Sequence, residues 1–406
     1  MTFAKYAETS DLKVARVTGD VLERLAFADV LRGLSALVVV VGHFIFVFLA
    51  APNLVATLIA SAPYDAGVVP TPLERFYSVF NLAAIGVAVF FLISGFVIPL
   101  SLDSGSALSF LIKRAMRIFP VYWASLGLGI VAIFLSAAYW SRPVLYGVSD
   151  YLANVFLVTD FFGRVDIPSV MWTLMVEIKF YLLAPLFHWL IRHRMLWALP
   201  AWGALVLLLY WLAVASCVDD VPACWGRRGP ISRVSWEPMM IGYMLIGSSL
   251  YAHYRGFMSG LATGASCVAI FLLFAVSWPL SVFAMHGTSY VLAYFWAVLI
   301  FCGSYLFRNK IVIVQPLKFL AAISYPLYVA HPLVGYGLMR WLDALGASYP
   351  VALVVALAAV VCSAWIIHLL VEAPAMRLGA KWAKKAAGLT PVRWNAEKEI
   401  AGPHSR

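Results

Sequence analysis

Long apolar stretches separated by short polar segments run through most of the chain. Ten of these stretches are long enough to cross a bilayer, because a transmembrane helix takes about 20 apolar residues. They lie near residues 34–51, 79–101, 118–140, 171–191, 196–215, 236–252, 259–277, 289–306, 319–340 and 351–371. The pattern predicts an all-α, polytopic membrane protein of about ten transmembrane helices.

The composition agrees with this pattern and excludes several classes of protein. Of the 406 residues, 63% are hydrophobic and 12% are charged, whereas soluble domains are about half apolar and about a quarter charged. So few charges cannot cover so much apolar surface in water, which excludes a soluble multi-domain enzyme, a disordered chain and a secreted disulfide scaffold. The N-terminus is polar and mixed in charge, unlike a cleaved signal peptide, so we expect the first span to remain in the mature protein.

The distribution of basic residues predicts the orientation of the chain, rather than binding of nucleic acid. With the N-terminus in the cytoplasm, 21 of the 29 Lys and Arg residues fall on that side of the ten spans, seven fall on the other side, and Lys179 falls within a span. This bias follows the positive-inside rule for an even number of spans with both termini cytoplasmic. We therefore expect a cytoplasmic segment at 1–32, a ten-helix transmembrane domain at 33–371 and a basic cytoplasmic tail at 372–406.

The five cysteines do not form a disulfide framework or a metal motif. Cys267, Cys302 and Cys362 lie inside apolar runs and are expected to pack as small hydrophobic residues. Cys217 and Cys224 share an expected outer loop, where an oxidising compartment allows a disulfide between them. No cluster of Cys and His has the spacing of a zinc site, so we expect no metal.

Two ionisable residues stand out in the first span, where a charge at bilayer depth costs at least about 2.5 kcal/mol. Arg32 opens this span and His43 follows eleven residues later. That spacing makes about three turns and a rise of about 16 Å, so both side chains share one face and His43 lies near mid-membrane. His43 is either a titratable base in a site or a core histidine bonded to a neighbouring helix.

Two segments in the first half of the chain suit close contact with a helix or a ligand. Ser94 and Gly95 are small residues near the end of the second span, which lets another helix or a ligand approach. Arg114 and Arg117 lie three residues apart in an expected cytoplasmic loop, a spacing that suits a phosphate or pyrophosphate. A topological anchor explains the two arginines equally well.

A carboxylate falls inside the fourth span. Unpaired at this depth, Glu177 would be protonated or expelled, so it needs a partner. Lys179 is two positions on and faces elsewhere, which leaves His43, an arginine or a ligand.

A polar stripe runs along the ninth span, where Ser324, Tyr328 and His331 stand at positions i, i+4 and i+7. His331 comes to nearly the same depth as His43. The two histidines and Glu177 indicate a proton-handling pocket, and a structural hydrogen-bonded stripe is the alternative for His331.

Six motifs in this order resemble the acyltransferase-3 family of ten-helix bacterial inner-membrane O-acyltransferases, over about residues 27–378. The motifs are Asp29-Val30-Leu31-Arg32-Gly33 through His43, Phe90-Phe91-Leu92-Ile93-Ser94-Gly95-Phe96, Arg114 to Tyr122, Trp172 to Tyr181 with Glu177, Ile323-Ser324-Tyr325 to His331, and Glu372-Ala373-Pro374 with Arg377. Lys179 is an unexpected charge within the fourth motif.

The resemblance implies a multi-pass protein of the bacterial inner (plasma) membrane. It implies transfer of an acyl group, usually acetyl from cytoplasmic acetyl-coenzyme A, onto a hydroxyl of a glycan or another cell-envelope or exported acceptor. The candidate site residues are His43, Glu177 and His331 for catalysis, Arg32, Arg114 and Arg117 for the phosphates of coenzyme A, and Ser94, Tyr181, Ser324 and Tyr328 for substrate binding.

Two mechanisms and two other classes of protein stay open at this point. His43 acts either as a general base, oriented by Glu177 or His331, or as an acyl carrier. A secondary transporter or lipid-linked glycan flippase also has many helices and intramembrane histidines, but we see no pair of broken helices in two matching halves. A membrane glycosyltransferase would favour acidic residues in the first outer loop, which offers only Asp65 and Glu74.

Overall fold

The structure is a computed structural model that describes residues 26–65, 70–103, 105–168, 170–216, 236–281, 283 and 287–389. The described residues form helices joined by loops, with no strand among them. Cys217 and Cys224, the expected disulfide pair, lie outside these ranges. In chain order the helices are α1 (Ala26–Ala50), α2 (Pro52–Leu58), α3 (Thr71–Val79), α4 (Leu82–Leu102), α5 (Ala107–Trp140), α6 (Val148–Val155), α7 (Thr159–Phe162), α8 (Met171–Arg192), α9 (Ala198–Ala215), α10 (Glu237–Tyr254), α11 (Gly260–Ser277), α12 (Thr288–Leu306), α13 (Gln315–Ala344), α14 (Tyr349–Ile367) and α15 (Ala373–Leu389).

Nine helices in the described part of the chain are long and apolar enough to cross a membrane. They coincide with nine of the ten expected spans, which confirms an all-α, polytopic membrane protein. The tenth expected span, 236–252, is the helix α10, which is not among the nine. Fifteen of its 18 residues are buried by other parts of the protein. A helix enclosed in this way carries glycine, serine and tyrosine where a lipid-facing helix carries larger apolar residues.

Helix α5 begins earlier than the sequence pattern predicts. Its 34 residues start at Ala107 and extend over about 51 Å, well beyond the hydrocarbon thickness of about 30 Å. The side chain of Ser106 caps this start by accepting a hydrogen bond from the amide of Ser109. Arg114 and Arg117 therefore lie on a helix, and the expectation of a loop there is wrong.

Helices α4 and α10 cross at backbone contact. A Cβ atom on Gly95 would lie 1.9 Å from the carbonyl oxygen of Met244, so only glycine fits there. Ser248 on α10 donates a hydrogen bond of 2.9 Å to the carbonyl of Gly95. That carbonyl has no helical donor because Pro99, four residues later, lacks an amide hydrogen. The expected close approach at Gly95 is thus a helix–helix contact.

Helix α1 lies between α4 and α13. Gly42 approaches the backbone of Ala83 at the start of α4, and Gly33 approaches the backbone of Ala321 on α13. Helix α15, which follows the last span, packs back along α5. This arrangement puts the polar faces of α1, α4, α5, α8 and α13 around one interior space.

Candidate active site

One cavity, partly open to solvent, lies between α1, α4, α5, α8 and α13. Eight of the ten predicted site residues line it. They are Arg32, Ser94, Arg114, Arg117, Glu177, Tyr181, Ser324 and Tyr328. Residues from five helices, far apart in the sequence, therefore form one site.

Three arginines line one end of this cavity, which we call the arginine end. Arg32 pairs with Asp29 at 2.8 Å, and that carboxylate is half exposed. Arg114 donates a hydrogen bond of 3.1 Å to Ser101 at the end of α4, and its guanidinium lies 5.6 Å from the centroid of the Tyr181 ring. Arg114 forms no ion pair with any residue that the structure describes.

The charges on the cavity wall are unequal. The wall carries three guanidinium groups, those of Arg32, Arg114 and Arg117. Glu177 is the one carboxylate among the described lining residues. Guanidinium groups are planar donors that bind phosphate in two-point contacts. The arginine end is therefore suited to an anionic ligand with several oxygen acceptors.

Glu177 lies further along the cavity and is held by two hydroxyls. Its Oε1 accepts a hydrogen bond of 2.8 Å from Ser94 and another from the Tyr181 hydroxyl. The hydrogen-bond partners of Glu177 are thus two hydroxyls that the sequence did not suggest, and the charge of Arg114 also acts on it. Lys179 pairs with Asp160 and Glu237 outside the cavity, which explains its charge without a role in the site.

The wall opposite the arginine end carries a pair of hydroxyls. The Oγ1 of Thr173 lies 2.7 Å from the Tyr328 hydroxyl. Sequence reasoning missed Thr173, although it stands four residues before Glu177 and eight before Tyr181, a spacing that puts all three on one helical face. Ser324 also lines the cavity, and its hydroxyl bonds to the carbonyl of Ala321 within the same helix.

His43 and His331 are next to this wall, but neither is among the lining residues described above. His331 is fully buried on α13, and its ring centroid lies 6.1 Å from that of Tyr328. Its Nε2 lies 3.1 Å from the Nδ1 of His43. His43 is partly exposed and begins a π-helical turn, His43–Val47, a distortion that occurs frequently at functional sites.

Backbone carbonyls fix the tautomers that the two rings adopt when they are neutral. The carbonyl of Tyr328 has lost its helical donor because Pro332 has no amide hydrogen, and it accepts a hydrogen bond of 2.8 Å from the Nδ1 of His331. The Nε2 of neutral His331 is then an acceptor, so it receives the Nδ1 proton of His43. That proton also points to the carbonyl of Val39 at 3.1 Å. The Nε2 of His43 is left with a free lone pair.

The part of the chain that the structure describes shows no group of three or more His, Cys, Asp or Glu side chains arranged to hold a metal ion. The functional groups in and beside the cavity are three arginines, several hydroxyls, one carboxylate and a pair of histidines.

Comparison with known proteins identifies the family. The family model described as an acyltransferase domain, of the acyltransferase-3 family, matches residues 25–369. The chain belongs to this acyltransferase family. The match covers all the residues of the cavity and both histidines. Family membership argues against a transporter, a flippase or a glycosyltransferase.

Three relatives of this acyltransferase are similar to it over part of their length. Nodulation protein 10 of Rhizobium leguminosarum bv. viciae is 35% identical over 126 residues, which is 27% of this chain and 34% of that protein. Exopolysaccharide production protein ExoZ of Rhizobium meliloti is 30% identical over 187 residues, which is 43% of this chain and 57% of that protein. Acyltransferase MdmB of Streptomyces mycarofaciens is 29% identical over 170 residues, 36% of this chain and 42% of that protein. The chain thus spans from about a third to somewhat more than half of these relatives, and no solved structure matches it.

Proposed function

We propose that this protein transfers an acyl group, acetyl in the simplest case, from acyl-coenzyme A to a hydroxyl of a glycan or another cell-envelope or exported acceptor. The observation that carries the proposal is one cavity with arginines at one end and a tautomerically ordered histidine pair beside the other. The name of ExoZ, an exopolysaccharide production protein, supports a glycan acceptor, and the name of MdmB, an acyltransferase, supports the reaction.

The donor enters with its phosphates at the arginine end. Arg32, Arg114 and Arg117 supply charge-assisted hydrogen bonds to phosphate oxygens. From there the cavity wall follows α4 from Ile98 back to Val87, a rise of about 16 Å at 1.5 Å per residue. This length accommodates an extended donor arm, whose thioester then lies near Tyr328. Ser94, Glu177 and Tyr181 line the middle of this path and shape it.

The chemical step uses the free lone pair of His43. The acceptor hydroxyl gives its proton to the Nε2 of His43 while its oxygen bonds to the thioester carbon. The Tyr328 hydroxyl, which lies 2.7 Å from the Oγ1 of Thr173, turns its single proton from Thr173 to the oxyanion that forms and donates a hydrogen bond to it. When the carbon–sulfur bond breaks, His43 returns the proton to the leaving thiolate, which releases coenzyme A. His331 orients His43 throughout. Glu177 holds Ser94 and Tyr181 in the cavity wall and does not orient the histidine.

An acyl-histidine relay uses the same lone pair. The Nε2 of His43 then attacks the thioester carbon and the thiolate of coenzyme A leaves. The acceptor hydroxyl attacks the resulting acyl-imidazole, which restores His43, and the proton of the hydroxyl passes to the thiolate. Both routes need a neutral His43 with its proton on Nδ1. Trapping a labelled acyl group on the protein in the absence of acceptor distinguishes the relay from direct transfer.

The proposed topology follows the charge distribution. We place both termini and the arginine end in the cytoplasm of a bacterium, with 1–32 as a cytoplasmic segment, 33–371 as the transmembrane acyltransferase domain and 372–406 as a basic tail. The plasma membrane then separates the donor pool from an exported acceptor.

The function is tested with purified protein, radiolabelled acetyl-coenzyme A and a panel of hydroxyl acceptors. We expect acceptor-dependent release of free coenzyme A from wild-type protein. The variant His43→Gln keeps volume and hydrogen bonding but cannot carry the proton, so it should bind donor and lose transfer. His193→Gln, on an exposed turn after α8, is the matched control and should retain transfer. Near-wild-type transfer by His43→Gln would contradict both routes.

A further inference from the structure

A buried carboxylate lies directly behind the arginine end. Glu372 ends a π-helical turn, His368–Glu372, that separates α14 from α15. Its side chain is only 3% exposed, although many other residues of the last span face outward. Burial of a carboxylate is costly unless charged or hydrogen-bonding partners hold it. The partners of Glu372 therefore indicate the role of this carboxylate.

Glu372 touches two groups, one with each oxygen. Its Oε2 lies 2.7 Å from the Nδ1 of His368, which is one-quarter exposed. Its Oε1 lies 3.9 Å from the Nε of Arg117, a cavity-lining residue. The second distance is too long for a hydrogen bond and corresponds to an electrostatic contact. The chain of contacts thus runs from His368 through Glu372 to the wall of the donor cavity.

The carboxylate of Glu372 lies near one particular edge of the Arg117 guanidinium. A guanidinium carries five N–H donors on a planar fork, and Nε lies at its inner edge. A carboxylate near Nε leaves the two terminal nitrogens free to bind an incoming phosphate from the cavity side. The pair of Arg32 with Asp29 differs, because Asp29 is half exposed and its effect is weakened by solvent.

We propose that Glu372 is a positioning residue, held by His368, that aims Arg117 at the phosphates of the acyl donor. This inference rests on the proposed function, because it requires a phosphorylated donor at the arginine end. It makes Glu372 a determinant of donor affinity, without contact with the reacting atoms. Both residues belong to the π-helical turn, and their spacing of four positions keeps them on one face of the helix.

The test compares donor binding by the wild type, Glu372→Gln, Arg117→Gln and the double variant. Glu372→Gln preserves shape and its bond to His368 but removes the charge. We expect each single variant to weaken the binding of acetyl-coenzyme A by about tenfold, the size of a lost charge-assisted contact. The double variant should lose little more, because both changes remove the same interaction. S-acetylpantetheine, which carries no phosphate, should react with unchanged KM in all four proteins.

Controls separate positioning from folding. Glu237→Gln alters another buried carboxylate, one that pairs with Lys179 away from the cavity, and should leave donor affinity unchanged. If Glu372→Gln does not fold, His368→Ala replaces it, since His368 is partly exposed and its loss should weaken donor binding severalfold in the same direction.

Three outcomes would overturn the inference alone: wild-type donor affinity in the Glu372 or His368 variants, losses that add fully in the double variant, or an equal loss with S-acetylpantetheine. Failure of the wild type to bind acetyl-coenzyme A would overturn the proposed function together with this inference.

Discussion

The Nε2 of His331 lies 3.1 Å from the Nδ1 of His43, although 288 residues separate the two in the sequence. The buried His331 ring thereby fixes the tautomer of the partly exposed His43 ring, because His331 has only one orientation in which its own Nδ1 meets the carbonyl of Tyr328. A base whose tautomer is set in this way presents one defined lone pair. The relationship depends on Pro332, which leaves that carbonyl free.

The first prediction concerns this proline. Pro332→Ala restores a backbone amide that competes with His331 for the carbonyl of Tyr328, so the tautomer of the histidine pair is no longer fixed. We expect acyl transfer to fall by about tenfold or more, in the range of general-base contributions, with donor affinity unchanged. Steady-state kinetics should show this as a loss in kcat with little change in the KM for acetyl-coenzyme A.

A second proline in the same helix supplies the control. Pro326 is also buried within α13, but the carbonyl four residues before it, that of Ala322, accepts no hydrogen bond from a histidine in the described structure. Pro326→Ala should therefore keep transfer. Equal losses in the two variants would point to helix bending as the cause and against tautomer control.

Much of the site was predictable because membrane helices are regular. A spacing of three or four residues on one helix places side chains on one face, so Arg114 with Arg117 was found from spacing, whereas Tyr181 came from the motif that resembles the acyltransferase-3 family. The close approach at Gly95 followed from residue size. Eight of the ten predicted residues line the cavity, and apart from Arg114 and Arg117, which were expected in a loop, they are polar positions on otherwise apolar helices.

The features that the sequence did not predict depend mostly on contacts between distant segments. Sequence spacing gave no reason to pair Glu177 with Ser94, 83 residues away, or Glu372 with Arg117. The two π-helical turns shift the helical register locally, and neither hydropathy nor residue spacing reveals them. The helical start of α5 was missed because a basic segment outside the apolar run resembles a loop in hydropathy, although Ser106 is a typical N-cap residue.

The second prediction concerns donor recognition by Arg114. This residue has no ion-pair partner among the described residues, so it is free to bind phosphate. Arg114→Ala should weaken the binding of acetyl-coenzyme A by about tenfold or more, since a charge-assisted contact is worth about 1.5–3 kcal/mol. Lys113→Ala, one residue earlier and exposed, removes the same charge from the same helix and should have little effect. Equal affinities in both variants would reduce Arg114 to a topological anchor.

The third prediction concerns topology. Reporter fusions after Gly105 and after Arg308 should report a cytoplasmic location, because the basic residues concentrate on that side. Fusions within 141–170 should report the opposite side. An external signal after Gly105 would overturn the proposed orientation.

The fourth prediction concerns the crossing of α4 and α10. A Cβ atom on Gly247 would lie 2.2 Å from the carbonyl oxygen of Leu92. The backbone of α4 can move aside only at a large energetic cost. Gly247→Ala should destabilise the fold by about 3 kcal/mol or more, measured by thermal unfolding in detergent. Gly264→Ala on α11 has no atom within 4 Å of the added carbon and should be neutral or gain up to about 1 kcal/mol from helix propensity. Similar melting temperatures for the two variants would show that α4 and α10 can separate.

The last prediction concerns the pH dependence of stability at Asp103, in the turn after α4. Its Oδ1 accepts hydrogen bonds from His188 at 3.0 Å and Tyr251 at 2.7 Å, and its Oδ2 lies 3.1 Å from the Nε of Arg255. Burial raises the pKa of Asp103, but these hydrogen bonds and the charge of Arg255 outweigh burial and hold the pKa below its usual value. A depressed carboxyl pKa stabilises the folded state fully above the unfolded value of about 3.9, and this contribution is lost as the pH falls through the folded pKa. Asp103→Asn should therefore lower the melting temperature at pH 7, and its difference from the wild type should shrink as the pH falls below about 4. A difference that stays constant down to pH 3 would mean that the ionised carboxylate does not join α4, α8 and α10.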